Sequence, residues 1–156
     1  MAIRIVRAGV LPILLLAACS DHGSASAYVP GLGEIMALQQ MRHAKLWFAG
    51  DAANWELAAY ETDELDEGFA DAVTFHPQHK DSPVPLTQAI PQFTARPITA
   101  LREAIAARDA AKFAAAFDGL TAGCNECHTA TKFACNVVVR PQANAFANQD
   151  FTAHGK

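Results

Sequence analysis

The chain has 156 residues, with 12 Lys+Arg against 16 Asp+Glu and a formal net charge of −4 at pH 7. That length suits one domain of ordinary size and leaves no room for two full cores. Hydrophobic residues make up 51% and charged residues 18%, which excludes disorder by composition. The acidic balance excludes nucleic acid as a partner, because the chain would repel the phosphates it had to neutralise.

Part of the apolar excess lies at the extreme N-terminus. Arg4 and Arg7 precede an apolar run from Ala8 to Ala18, broken only by Gly9 and Pro12. This is the pattern of an export signal over residues 1–18, too short to span a bilayer as a permanent helix. The run closes on Leu16-Ala17-Ala18-Cys19, which resembles the lipobox of bacterial lipoproteins. The resemblance implies cleavage before Cys19 and a diacylglycerol on its thiol. A plain secretory signal cut near Ala18 is the alternative, and both export the chain. Acyl chains on Cys19 would hold the protein at a membrane, each buried methylene contributing about 0.8 kcal/mol. Ser20 in place of an Asp points to the outer membrane. Residues 19–29 then form a lipidated, small and polar tether.

Four helices follow. Leu32 to Ala49 lacks Pro, and Ala37, Met41, Ala44 and Phe48 make one stripe at 4-3-4 spacing. Gly50 is expected to end this helix, with Asp51 or Asn54 capping the next. The second runs from about Trp55 to Phe75, with Leu65, Phe69, Ala72 and Val73 buried. Its outward face carries Glu61, Asp63, Glu64, Asp66 and Glu67. The third spans about Leu86 to Arg108, and Pro91 and Pro97 are expected to kink or divide it. Asp109 caps the fourth, which starts at Ala110 and ends between Lys132 and Cys135, with Phe113, Phe117 and Leu120 inward. Short connections between comparable helices predict an all-α, antiparallel up-down-up-down bundle over residues 30–136. Val137-Val138-Val139, Pro141 and the Asn, Gln and Ala beyond them predict an extended tail over 137–156.

Cys124-Asn125-Glu126-Cys127-His128 matches Cys-x-x-Cys-His, the attachment sequence for a c-type haem. Residues 124, 127 and 128 stand at i, i+3 and i+4, so a helix presents all three on one side. Two thiols there suit the two vinyl groups of one porphyrin, and His128 becomes the proximal iron ligand. Such attachment takes place in an exported compartment, which the N-terminus predicts independently. Three rivals read the same residues differently. A thioredoxin-like dithiol wants a βαβ setting. A zinc site would have to use Cys124, Cys127, His128 and Cys135 from one segment. A Cys124–Cys127 disulfide would close a short, strained loop.

A haem motif near the end of the fourth helix of a bundle resembles the class II c-type cytochromes, the cytochrome c-prime group. The resemblance covers about residues 30–135, and only Cys124, Cys127 and His128 are specific to the motif. The chain departs from that group in the 28 residues that follow His128. Two further stretches, Gly31 to Met36 and Arg42 to Phe48, look like the opening of an uncharacterised group of exported helical proteins.

The opposite iron face would lie near the start of the first helix. If the fourth helix stops near Lys132, Met36 is level with His128; if it continues to Cys135, Met41 is. A thioether sixth ligand raises the reduction potential. His43 is the other alternative, and His76 and His79 lie in the loop at the same end. Arg42, Lys45 and Arg96 are candidate propionate partners. Gly119 and Gly123, eight and four residues before Cys127, are candidates for leaving room for the porphyrin, and Cys135 is expected as a small buried thiol.

The function expected is that of a periplasmic, membrane-anchored monohaem c-type cytochrome that carries single electrons and is not an enzyme. One covalent haem is its cofactor and a periplasmic redox protein its partner. The acidic run Glu61 to Glu67 is a candidate dock for a basic partner, and a homodimer stays open. Two alternatives remain: a five-coordinate haem protein that binds NO or CO, and an exported helical binding protein without haem. A weak peroxidase-like activity would require His43 as a distal acid-base group.

Overall fold

The computed structural model describes residues 28–79 and 81–153; the predicted signal and the lipidation candidate Cys19 lie outside the described residues. Four helices follow one another: α1 (Leu32–Asp51), α2 (Trp55–Phe75), α3 (Leu86–Ala106) and α4 (Ala110–Ala130). They form an all-α four-helix bundle in which each helix packs on the next in the chain and α1 meets α4 more slightly. Among the described residues, no helix is long and apolar enough to cross a membrane.

The caps explain where the helices begin. The Asn54 side chain accepts from the Leu57 amide at the start of α2, and Asp109 accepts from Lys112 at the start of α4, each satisfying an amide that has no partner within its helix. Three helix ends share one device. Ala53, Arg108 and Lys132 take positive φ (54°, 52° and 68°), and the next amide reaches back to the last turn: Asn54 to Ala49, Asp109 to Ala104, Phe133 to His128. This is the Schellman geometry, here without glycine. Gly50 therefore does not end α1. It is the last residue of α1 but one, where an added Cβ would come 2.1 Å from the Phe113 ring.

Phe113, Phe117, Leu120, Leu101, Leu65 and Leu46 are the heart of the core. In α2, Leu65, Phe69 and Ala72 are buried as their spacing predicts. The stripe expected in α1 is displaced, because its buried face is Ile35, Gln39, His43, Leu46, Ala49 and Gly50. Two polar residues hold that face. Gln39 Nε2 donates to the Leu65 carbonyl at 2.6 Å, and His43 Nε2 lies 2.8 Å from Thr121 Oγ1. Bonded polar groups are tolerated in a core.

α3 runs as one helix through Pro91 and Pro97 instead of dividing. Pro97 cannot donate to the Phe93 carbonyl one turn back, and that carbonyl faces α4 at Gly123. The tail lies against α1 and α4. Arg140 lies over the Trp47 ring at 4.2 Å and pairs with Asp118, Lys45 lies over Phe146, and buried Phe151 packs on Phe48.

A candidate cofactor cavity between α1 and α4

One cavity of about 600 Å³ opens at the end of the bundle where α1 begins and α4 finishes. Its volume falls in the range of pockets that take small molecules and cofactors. α4 contributes Cys124, Cys127 and His128, which their i, i+3, i+4 spacing turns to one side. α1 faces them with Leu32, Met36 and Ala37, and Phe69, Leu86 and Ile90 make an apolar floor. The residues after α4, Phe133 and 135–138, border the remaining side.

The sequence candidates separate cleanly. Met36 shares the cavity with Cys124, Cys127 and His128; Met41 and His43 do not line it. α4 ends at Ala130, short of the length that would place Met41 level with His128. His43 is buried against Phe117, ring centroids 4.4 Å apart, and its bond to Thr121 occupies it there. Thr121 Oγ1 already donates to the Phe117 carbonyl, so His43 Nε2 is the donor. Burial pushes its pKa down to about 4. A peroxidase-like activity would need a distal acid-base group in the cavity, and His43, bonded to Thr121, does not stand there. Of the two loop histidines, His76 bonds the Pro30 carbonyl at 2.8 Å, whereas His79 lines the cavity with its ring 5.3 Å from Phe133.

The three basic candidates are mostly committed elsewhere. Arg42 pairs with Glu64 at 2.7 Å and also donates to the Glu64 carbonyl; Lys45 turns to Phe146; Arg96 is exposed on α3. The acidic run is likewise altered. Glu61 is buried, which pushes its carboxyl above the usual range against the pull of Lys45, and Arg102 bridges Asp63 and Asp66. Neither glycine makes room for a ring. Gly119 faces open space, while a Cβ at Gly123 would sit 2.3 Å from the Phe93 carbonyl oxygen, so it is the neighbouring helix that needs Gly123 bare. Cys135, beyond the helix end, is exposed at the cavity rim.

His128 is set by the chain that follows it. Its Nδ1 lies 2.6 Å from the Asn136 carbonyl oxygen. A carbonyl only accepts, so Nδ1 carries a proton, and in the neutral ring Nε2 has the free electron pair that a metal requires. Thr131 Oγ1 donates to the Cys127 carbonyl at 2.7 Å and is buried beside it, steadying the last turn. Sequence reasoning did not find the Asn136 carbonyl, and a backbone acceptor leaves no mark in composition or spacing.

The chemistry of the donor set separates the rival readings. Cys124, Cys127 and Cys135 are free thiols. Burial, reinforced by the neighbouring Cys127, pushes the Cys124 thiol up to about 12, and burial raises Cys127 as well. A redox dithiol needs the opposite, an accessible thiolate of lowered pKa. Among the described residues, no group of three or more His, Cys, Asp or Glu side chains is placed to hold a metal ion, Cys124, Cys127, His128 and Cys135 included. Two thiols and one imidazole on the wall of a single, mostly apolar cavity fit a covalently held porphyrin, which needs only one protein ligand on the His128 side. No protein-family model, curated protein or solved structure matches the chain.

Proposed function

We propose that the protein is an exported, lipid-anchored monohaem c-type cytochrome that carries single electrons. The observation that carries this reading is the shared cavity. Cys124 and Cys127 line it beside His128, whose Nδ1–H is directed to a backbone acceptor. When bound, the haem supplies a one-electron iron couple.

The chain's own residues would do the rest. Cys124 and Cys127 supply the sulfurs of two thioethers, and His128 Nε2 supplies the proximal ligand. Leu32, Phe69, Leu86 and Ile90 line the cavity and would keep water from its apolar side, lowering the local dielectric and favouring the less charged iron state. Met36 is the sixth-ligand candidate from α1, and His79 is the second residue in the cavity able to take that place. The expected export signal and lipidation at Cys19 would put the protein in the periplasm at a membrane, within reach of a redox partner.

An optical spectrum of protein matured in the periplasm tests the reading, taken oxidised and reduced, with and without carbon monoxide. The electron-carrier reading expects a low-spin spectrum that carbon monoxide leaves unchanged. A high-spin spectrum that shifts with carbon monoxide would replace it with gas binding in the same cavity. No haem spectrum at all would leave an exported helical protein without haem.

A further inference from the structure

The segment beyond α4 is tied to the motif by one of the motif's own inner residues. Asn125 stands between the two cysteines, and its carboxamide bonds both backbone groups of Val138. Oδ1 accepts from the Val138 amide at 2.8 Å and Nδ2 donates to the Val138 carbonyl at 2.9 Å. The intervening chain is folded on itself. Lys132 turns it at positive φ, the Phe133 amide returns to the His128 carbonyl, and the Asn136 amide bonds the Phe133 carbonyl at 2.8 Å. One end of this loop is therefore anchored on α4 through Phe133 and the other through Asn125. Between the anchors lies the Asn136 carbonyl, 2.6 Å from His128 Nδ1.

We propose that Asn125 is a positioning residue for His128: by clamping Val138 it holds the Asn136 carbonyl on Nδ1, which keeps the imidazole in one tautomer and makes it a more basic iron ligand. The inference rests on the function proposed above. An imidazole whose Nδ1–H is hydrogen-bonded gives more electron density to the metal and favours the oxidised iron. Both side-chain hydrogen bonds of Asn125 go to Val138, so its effect on His128 would pass through the loop. The two-point clamp also distinguishes it from a residue that merely faces water. Glu126, the other inner residue of the motif, is exposed and has no corresponding bond to the tail.

The test compares the full-length protein with Asn125→Ala, Asn125→Asp and, as a control, Glu126→Gln. Loss of an outer partner of a metal-bound histidine costs on the order of tenfold. Asn125→Ala is therefore expected to raise the reduced-to-oxidised ratio at fixed ambient potential about tenfold, an upward shift of about 59 mV in midpoint. Asn125→Asp keeps the acceptor for the Val138 amide and loses the donor, so its shift should be smaller. Glu126→Gln should leave the midpoint in place. Hydrogen exchange at the Val138 amide should accelerate in Asn125→Ala. Faster exchange with an unchanged midpoint would overturn the proposal, because the clamp would then hold the tail and nothing more. If the wild type carries no haem, the function proposed above fails, and nitrogen-15 shifts of His128 decide the clamp by themselves. A single Nδ1–H tautomer lost in Asn125→Ala supports it, and the same tautomer in both proteins overturns it.

Discussion

Gly123 of α4 rests directly against the Phe93 carbonyl of α3, a carbonyl whose helical donor is replaced by a proline. Pro97 has no amide to offer Phe93, and the bare Cα of Gly123 lets α4 come close enough for the oxygen to sit 2.3 Å from where a Cβ would be. The contact stands one residue before Cys124, so the approach of α3 sets the depth of the motif in the bundle.

Gly123→Ala should therefore destabilise the protein by about 1–3 kcal/mol, since overpacking against backbone exceeds the gain of about 1 kcal/mol in helix propensity. Gly119→Ala, which meets open space, should stabilise by up to about 1 kcal/mol. Urea unfolding of the two variants measures both signs. Stabilisation by Gly123→Ala would show that the close approach is not required.

His43 makes stability depend on acid. Its folded pKa of about 4 lies below the ordinary value near 6.5, so the unfolded chain binds the proton first. The stability it contributes is complete above about pH 6.5 and declines as pH falls towards 4, by about 3 kcal/mol in all. His43→Leu should remove that slope, while Thr121 Oγ1 keeps its bond to the Phe117 carbonyl. The pH profile of the difference in unfolding free energy between the two proteins isolates this residue from Glu61, whose raised carboxyl works in the opposite direction. A flat difference profile would contradict the assignment.

The four helices are legible in the sequence because periodicity, capping residues and short connections agree at nearly every element. The inner face of α1 is not, because Gln39 and His43 occupy buried positions and push the apolar stripe onto the wrong side. Glu61 misleads for the same reason, as a carboxyl with core neighbours. The end of α4 is hidden because Lys132, and no glycine, takes the left-handed position. For the site, the motif announces Cys124, Cys127 and His128 as partners, and the level argument reaches Met36 once the helix end is known. Asn125 and the Asn136 carbonyl are invisible in advance, since their roles depend on the path of a tail with no regular structure.

The tail should be part of the stable fold. Phe151 is buried on Phe48 and Phe146, at the edge of the core, and Phe151→Ala should cost about 3 kcal/mol. Thermal unfolding measures it. A loss under about 0.5 kcal/mol, the ordinary scatter for a surface substitution, would mean that the tail lies on the bundle without supporting it.

Met36 and Met41 provide a matched pair. In the haem-loaded protein Met36→Ala should convert low-spin iron to high-spin, whereas Met41→Ala, outside the cavity, should leave the spectrum as it is. An unchanged spectrum in Met36→Ala, with conversion in His79→Ala, would transfer the sixth position to the loop.

Mass spectrometry of the denatured polypeptide, exported in a host that attaches haem, tests the central claim most directly. The account predicts one haem per chain that survives denaturation and disappears when Cys124 and Cys127 are both replaced by serine. A polypeptide of unmodified mass between those cysteines, recovered from that same host with both thiols free, would contradict it.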